Sequence, residues 1–510
     1  MTFSESEPRL LARVLGATLD GLGGRRVRVE ADVAPVLPGF SLVGLAGASL
    51  RESRERIGRA LHNSGFQWPE GRITVSLAPA DLRKDGAAMD LSIAVAILLA
   101  SGQLRRPGAD RLRRTLFVAE LALDGVLRPA RGVVAMALDA PRLGVDSVVV
   151  ARAQLAELRE VGNVRVEGLE HLRDLPDLLR SLSSPPAVRP APAGQGAADL
   201  EHGLADARAA LGMIRGQERA LRAVLVAAAG GHHLFLQGPP GCGKTLLARA
   251  LGHLLPPLTG EAALARRRIH SCAGLLAPPP GPVAAPLRAP HHSTTAAGLL
   301  GGGLPVRPGE ITLAHGGLLL LDEVAEFPAR VLDRLREPLS DGVVRLVRGN
   351  ERVEFPARMQ LVATANPCPC GWYSSALDRC RCAPTVVDRY RARLSGPLRD
   401  RFDLWVEMDR EPASHYLEAQ ASQQLGGWIE KARQLRASGR PFLQGDELLR
   451  ACALDRSARE FVAGVADRQG CSVRALASAL RVARTLADLQ GRESVDLSTL
   501  AEAFSFRPVA

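Results

Sequence analysis

Apolar and polar residues alternate singly in two early stretches, 26–33 (RVRVEADV) and 72–79 (RITVSLAP), the period-two pattern of half-buried strands. Two further stretches, 49–65 and 90–102, place apolar residues at helical spacing, and each runs to a Gly. The first 180 or so residues therefore read as an α+β domain. The segment 183–196, SSPPAVRPAPAGQG, breaks all periodicity and reads as a linker. From about 210 to 409 strand, loop and helix repeat, as in a parallel sheet with crossover helices. From about 411 the pattern is almost wholly helical, with clear faces at 417–435, 455–469 and 473–490. The expected organisation is an α+β domain at 1–182, a linker at 183–200, an α/β core at 201–410 and a helical lid at 411–510. No internal repeat is visible.

The chemistry concentrates in the α/β core. Residues 232–251 read HHLFLQGPPGCGKTLLARAL: an apolar strand, then Gly238-Pro239-Pro240-Gly241-Cys242-Gly243-Lys244-Thr245, then a helix. That is a phosphate-binding loop in its required setting. Glycines let backbone N–H groups turn toward phosphate oxygens, and the helix N-terminus adds its dipole. Lys244 would reach the β- and γ-phosphates of ATP, and the Thr245 hydroxyl would ligate Mg²⁺. The segment GGLLLLDE (316–323) follows about 75 residues later. Its leucines form a buried strand delivering Asp322 to the Mg²⁺ water shell and Glu323 to the attacking water. A third strand, MQLVATANP (359–367), ends on Asn366, placed to orient that water, the role called sensor 1. In LSGPLRDRFDL (394–404), Arg401 lies on a turn where it could meet a neighbouring subunit's γ-phosphate, with Arg399 as the alternative. Arg474, at the start of a lid helix, is the sensor 2 candidate, and Arg481 is second.

Composition changes this picture in three places. The formal charge of +11 suits nucleic acid but equally suits a solvated surface. Lys occurs only at 84, 244 and 431, so 62 of the 65 basic residues are Arg, and the Lys retained at 244 gains weight. The longest apolar run, around Ile93–Ala100, is far short of a membrane span, and the first ten residues lack the basic and apolar regions of a signal peptide, so a cytoplasmic location without membrane contact is expected. Among eight Cys, four fall within fifteen positions: Cys368, Cys370, Cys380 and Cys382. Two close pairs of thiols can form a tetrahedral Zn²⁺ site, with buried reduced thiols or a redox pair as alternatives.

The sequence resembles the magnesium-chelatase-like AAA+ ATPases of the YifB/ComM family over nearly its whole length. The carrying segments are FSLVGLAGASLRESRERI, ALHNSGFQWPEGRITVSLAPADLRKDG and LDGVLRPARG in the first domain, then GHHLFLQGPPGCGKT, RAPHHSTT, GGGLPVRPGEITLAHGGLLLLDE, NPCPCG and LSGPLRDRFDL in the core, and LRVARTLADLQG near the end. The resemblance implies an AAA+ sheet with a helical lid, preceded by a Lon-peptidase-like domain of the ribosomal S5 domain 2 type. It also implies a homohexameric DNA helicase that promotes branch migration in recombination and natural transformation. One departure is ADARAALGMIRGQ, several residues longer than the family's usual approach to RGQ, which bears on closure of the adenine pocket around Arg215–Gln217.

The Lon-like domain is not expected to cut peptides. The nucleophile's position in the Lys84-Asp85-Gly86 motif holds Ala88, and 132–140 contains no Lys to act as base. The paired histidines His291 and His292 stand in a Gly-rich insertion that reads as a pore-lining loop rather than a metal site. Residues 343–355 form two alternating strands around Gly349–Asn350, a hairpin carrying Arg345, Arg348 and Arg352. Those arginines would grip DNA phosphates without regard to base; the alternative is ion pairing between subunits. Three functional classes stay open on the residues alone: a DNA translocase or helicase, a metal-insertion motor of the magnesium chelatase kind, and a protein-remodelling ATPase.

Overall fold

A computed structural model describes the chain apart from residues 1–10, 45–51, 81–83, 85–86, 106–108, 163, 183–196, 215, 279, 349–350, 374–378, 411–424, 439–442 and 508–510. It divides into two compact units. The first comprises 1–195, 263–281 and 304–307; the second comprises 196–262, 282–303 and 308–510.

In the first unit seven strands form one sheet: β1 Ala12–Asp20, β2 Gly23–Ala34, β3 Gly39–Val43, β4 Arg72–Ala78, β5 Thr115–Val118, β6 Ser147–Ala151 and β7 Arg165–Leu169. Their order is β3-β4-β2-β1-β5-β6-β7, antiparallel among β4, β2 and β1 and parallel from β1 to β7. The single alternation read at 26–33 is real: Val27, Val29 and Ala31 are buried while Arg26 and Arg28 are exposed. That inner face packs on the helices Ser53–Asn63 and Asp90–Ala100, the second buried along its whole length. On the opposite face the helix Val133–Asp139 covers only the part holding Leu15, Ala17, Leu116 and Val118. Ala88 lies in a single 3₁₀ turn, Ala87–Met89, that leads into the helix Asp90–Ala100.

The second unit is built on five strands in an all-parallel sheet: β8 Leu234–Gln237, β9 Leu287–Arg288, β10 Leu318–Leu321, β13 Gln360–Ala365 and β14 Leu404–Glu407. Between β10 and β13 the strands β11 Val343–Arg348 and β12 Glu351–Pro356 pair as the expected hairpin, whose turn at Gly349–Asn350 lies outside the described residues. The sheet order is β9-β10-β13-β8-β14, which puts the first strand between later ones. β10 and β13 are buried at every position, as expected of strands covered on both faces. The helices Glu218–Gly230, Lys244–Leu254 and Val473–Gln490 share one apolar core with this sheet. The linker expected at 183–200 needs shortening. Residues 183–196 lie outside the described set, but 197–200 already belong to the helix Ala197–Met213, whose Ala- and Leu-rich sequence favours helix. Among the described residues no helix is long and apolar enough to cross a membrane.

Three histidine-linked contacts brace the second unit. The Nδ1 atoms of His233 and His315 accept backbone N–H groups from Leu361 and Arg358, at 3.0 and 3.1 Å. Burial pushes the pKa of both rings down, so both stay neutral in the folded chain. Beside them Asp403 is buried and accepts the His233 backbone N–H at 3.0 Å. Burial alone would raise its carboxyl, but the neighbouring histidines and Arg481 outweigh burial and hold it below the carboxylate range. A histidine whose folded pKa is depressed leaves the unfolded chain binding more protons, so stability is lost as pH falls through the unfolded value of ~6.5. The melting midpoint is therefore expected to drop between pH 7.5 and 5.5. A flat midpoint over that range would contradict the neutral assignment of His233 and His315.

Candidate functional site

Parallel register brings the motifs together. Gln237 pairs with Ala365, and Leu321 pairs with Ala363, so β8, β10 and β13 end at one edge of the sheet. The phosphate-loop residues, Asp322 and Asn366 leave the sheet there, the usual place for ligands in open α/β sheets. The loop turns on Gly241 (φ +79°) and Gly243 (φ +93°), left-handed conformations that favour glycine, and Gly241 has nothing within 4 Å of where a Cβ would stand. The helix Lys244–Leu254 starts directly behind it.

Lys244 is buried, and its Nζ donates to the Gly238 and Pro239 carbonyls at 2.7 and 2.8 Å and to Asn366 Oδ1 at 3.2 Å. Burial lowers its pKa, against the opposing pull of Cys242, Asp322 and Glu323. A bound polyphosphate would supply the negative charge this ammonium lacks. The Thr245 hydroxyl donates to both Asp322 oxygens, at 3.0 and 3.1 Å. A hydroxyl and a carboxylate at this separation are the oxygen donors a hard Mg²⁺ ion takes beside phosphates. The residues present thus fit Mg²⁺ and ATP. Glu323 adopts φ 52°, ψ 51°, a left-handed conformation rare for a non-glycine residue and common at functional sites.

Thr364 was not singled out in the sequence. Its hydroxyl donates to Asp322 Oδ1 at 2.5 Å and accepts the Glu323 backbone N–H at 3.0 Å. It therefore orients the carboxylate and holds the strained residue after it. The signal was faint but present: Thr364 lies near the end of the strand that delivers Asn366. A second unforeseen contact is Gln217, whose Nε2 donates to the Asp409 carbonyl at 2.6 Å; Arg215 beside it lies outside the described residues.

The two candidate fingers separate. Arg401 donates to the carbonyls of Arg336 and Pro397 and to the Ser340 hydroxyl, with no bond to the phosphate loop among the described residues. Partial burial, then the charges of Arg474 and Arg336, lower its guanidinium pKa. Arg474 is exposed in the first turn of Val473–Gln490. Arg399 instead stands 5.2 Å over the Trp405 ring and shares a cavity of about 640 Å³ with Asn366. Arg481 is drawn to Asp403 at 3.5 Å and so is already engaged.

The four cysteine sulfurs converge within 4.8 Å of one another. The Cys368–Cys370, Cys370–Cys380 and Cys368–Cys380 separations are 3.3, 3.6 and 3.8 Å. A tetrahedron with ~2.3 Å metal–sulfur bonds has edges of about 3.8 Å, so the cluster has the dimensions of a zinc site. The Tyr373 N–H points at Cys368 Sγ (3.3 Å), and the Trp372 N–H pulls the Cys370 thiol down to about 6. The rings of His291 and His292 lie 3.9 Å apart, tilted by 36°, and join no such cluster among the described residues.

On the hairpin, Arg345 is paired with Asp341 at 2.7 Å, Glu337 at 2.9 Å and Glu354 at 3.1 Å, all at the surface. Two of those carboxylates lie just before the hairpin and the third lies directly across it, a balance that the local charge pattern conceals. Arg352 is exposed opposite Val347, on the same face; the side chain of Arg348 is outside the described set.

Three parts of the chain match family descriptions. Residues 210–416 match magnesium chelatase, subunit ChlI; residues 29–154 match subunit ChlI of Mg-chelatase; residues 419–507 match the ChlI C-terminal part. An uncharacterised protein of Mycobacterium tuberculosis is 42% identical, covering 98% of both chains. The YifB protein of Escherichia coli is 37% identical over 96% of this chain and 95% of its own. The competence protein ComM of Haemophilus influenzae is 37% identical over 98% and 97%.

Replacing Glu323 by Gln should leave nucleotide binding intact and reduce hydrolysis by at least about a hundredfold, the usual size of a general-base contribution. ATP turnover at the wild-type rate would remove Glu323 from the water-activating role. Metal analysis of protein purified without chelator should find about one zinc per chain, absent from both the Cys368→Ser and the Cys380→Ser variants. Metal-free protein with unchanged melting would rule the site out.

Proposed function

The chain belongs to the YifB/ComM family of magnesium-chelatase-like AAA+ proteins, and from that premise we propose that it is an ATP-hydrolysing homohexameric ring motor that moves along DNA and promotes branch migration during recombination. The observation that carries the motor reading is the meeting of Lys244, Asn366, Thr245 and Asp322 at one sheet edge. In this reading the phosphate loop and Thr245 hold Mg²⁺-ATP, Glu323 polarises the attacking water and Asn366 aligns it. Arg401, together with Arg474, serves the nucleotide of the neighbouring subunit, where an arginine in trans contributes ~10³–10⁵ in rate in well-studied NTPases. Arg401's hydrogen bonds to carbonyls of its own chain hold the turn in place for that encounter.

Two features support DNA as the track. One relative carries the name competence protein, and that name fits natural transformation. The β11–β12 hairpin, placed just before β13, presents Arg352 on its exposed face with Arg348 at its end. The four-thiol cluster, binding zinc, would fix the loop that follows Asn366. A metal-insertion motor is the second reading, because all three matched descriptions name magnesium chelatase.

Arg352→Ala, combined with Arg348→Ala, should weaken DNA binding whatever the sequence and lower DNA-stimulated ATPase, while ATPase without DNA persists. The slope of log affinity against log salt should flatten by about 0.7 to 0.9 for each phosphate no longer neutralised. Arg345→Ala should leave that slope unchanged. Failure of any DNA, forked or single-stranded, to bind the wild-type protein or stimulate its ATPase would sink the DNA reading and favour the chelatase one.

A further inference from the structure

The first unit carries a cavity of about 960 Å³ lined by Arg13, Arg25, Arg26, Arg28, Arg113 and Arg142, with only apolar residues otherwise in its wall. Its origin is the half-covered face of the seven-stranded sheet. Antiparallel pairing sets Arg26 opposite Ala17, Arg28 opposite Leu15 and Arg13 opposite Glu30, so these three arginines share one face. The helix Val133–Asp139 covers that face over Leu15 and Ala17 and leaves the arginine end open. Residues beyond the helix, Arg142 and Leu143, close one side, and Leu112 and Arg113, before β5, close another.

The balance of charge in this cleft is unusual for a solvated surface. No carboxylate lines it. The acids nearest its arginines are shared or committed. Glu30 serves both Arg13 (2.9 Å) and Arg28 (3.7 Å). Asp20 serves Arg25, and Asp139 reaches Arg142 only at 3.5 Å while it also binds Arg268 and the Gly24 N–H. Arg26 donates to the Leu143 carbonyl, and Arg113 has no acidic partner among the described residues. Six guanidiniums thus have three carboxylates near them, none in the concave wall itself, an arrangement that focuses positive potential outward. Guanidinium forks match phosphate oxygens in pairs. The wall has no aromatic ring on which a base could stack, so the chemistry it recognises is a phosphodiester backbone rather than a base.

We propose that this cleft is a second DNA-contact site, holding the phosphate backbone of a strand independently of the β11–β12 hairpin. The inference rests on the DNA reading above and assigns the first unit a task that its missing peptidase groups leave open. A motor with one contact at the hairpin and another on a separate unit would hold two stretches of a branched substrate at once, and linked contacts raise overall affinity beyond either alone.

The test uses the full chain and fluorescence anisotropy with forked, duplex and single-stranded DNA across a salt series. The variant is Arg25→Ala/Arg113→Ala/Arg142→Ala, three exposed side chains remote from the core. Its melting midpoint should match the wild type, while affinity should fall about tenfold or more and the salt slope should flatten by about 0.9 for each duplex phosphate left without its guanidinium. Adding Arg352→Ala should weaken binding further, as two separate sites require. Wild-type affinity and slope in the triple variant, when the Arg352→Ala protein binds more weakly, overturns the cleft and leaves the DNA reading standing. Wild-type protein that binds no DNA at all removes the underlying reading instead. Inorganic pyrophosphate should compete only at concentrations that mimic general salt; stoichiometric displacement of DNA by pyrophosphate would make the cleft a small-anion site and overturn the proposal.

Discussion

Everything at the candidate site hangs on the register of three short parallel strands. Leu321 opposite Ala363 and Gln237 opposite Ala365 fix where β10, β13 and β8 stop. A slip of one residue would draw Asp322 into the buried sheet or push a leucine out beyond its end, since every position of β10 is buried. The four leucines of β10 are buried, and the ladder with β13 fixes that register from Leu318 opposite Gln360 onward. At its end the chain enters a left-handed conformation at Glu323, which costs roughly 1–2 kcal/mol for an L-residue. Thr364 offsets part of that strain through the Glu323 N–H and aims Asp322 with the same hydroxyl. The strained residue and the Asp322 carboxylate are thus positioned by one side chain on the neighbouring strand.

A second constraint acts at the opposite end of β8. Asp403 ends the turn that carries Arg401, and its carboxylate accepts from Ser478 on the helix Val473–Gln490 and from the His233 N–H. Arg474 lies one helical turn before Ser478 on that helix. Turn, lid helix and sheet therefore meet on one buried carboxylate, and removing such a partner typically costs ~3–5 kcal/mol because the remaining charges stay buried. A tilt of the lid helix would therefore pull on the same carboxylate that ends the Arg401 turn.

How much of this the sequence disclosed follows the physics of each part. The phosphate loop is legible because its backbone demands glycine at Gly241 and Gly243, and β10 is legible because a fully buried strand must be apolar. Helices at Asp90–Ala100 and Val473–Gln490 also match their apolar pattern. Thr364 escaped because threonine is an ordinary strand residue, and only its neighbour across the sheet gives it a task. The ion pairs of Arg345 were hidden for the converse reason: its acids come from Glu337 and Asp341, outside the hairpin, as well as from Glu354. The zinc-like cluster is intermediate. Its spacing marks four thiols, but only folding brings the pairs to 3.3–3.8 Å.

The same distinction decides what the overall charge means. Many of the 62 arginines are spent on the fold. Arg484 caps the carbonyls of Ala451, Arg492 and Glu493; Arg267 is buried against Pro278 and Gly281; Arg393 holds Ala325. Guanidinium suits that work because five donors in a rigid fork can satisfy several carbonyls at once, which an ammonium does less well. A net charge of +11 is therefore poor evidence for a polyanionic partner. The more telling observation is local: the arginines of a concave wall that no carboxylate lines, such as Arg26 and Arg113, differ from Arg345, which is already paired with three carboxylates. Counting spent and unspent guanidiniums, rather than total charge, is what separates a nucleic-acid surface from an arginine-rich fold that merely satisfies itself.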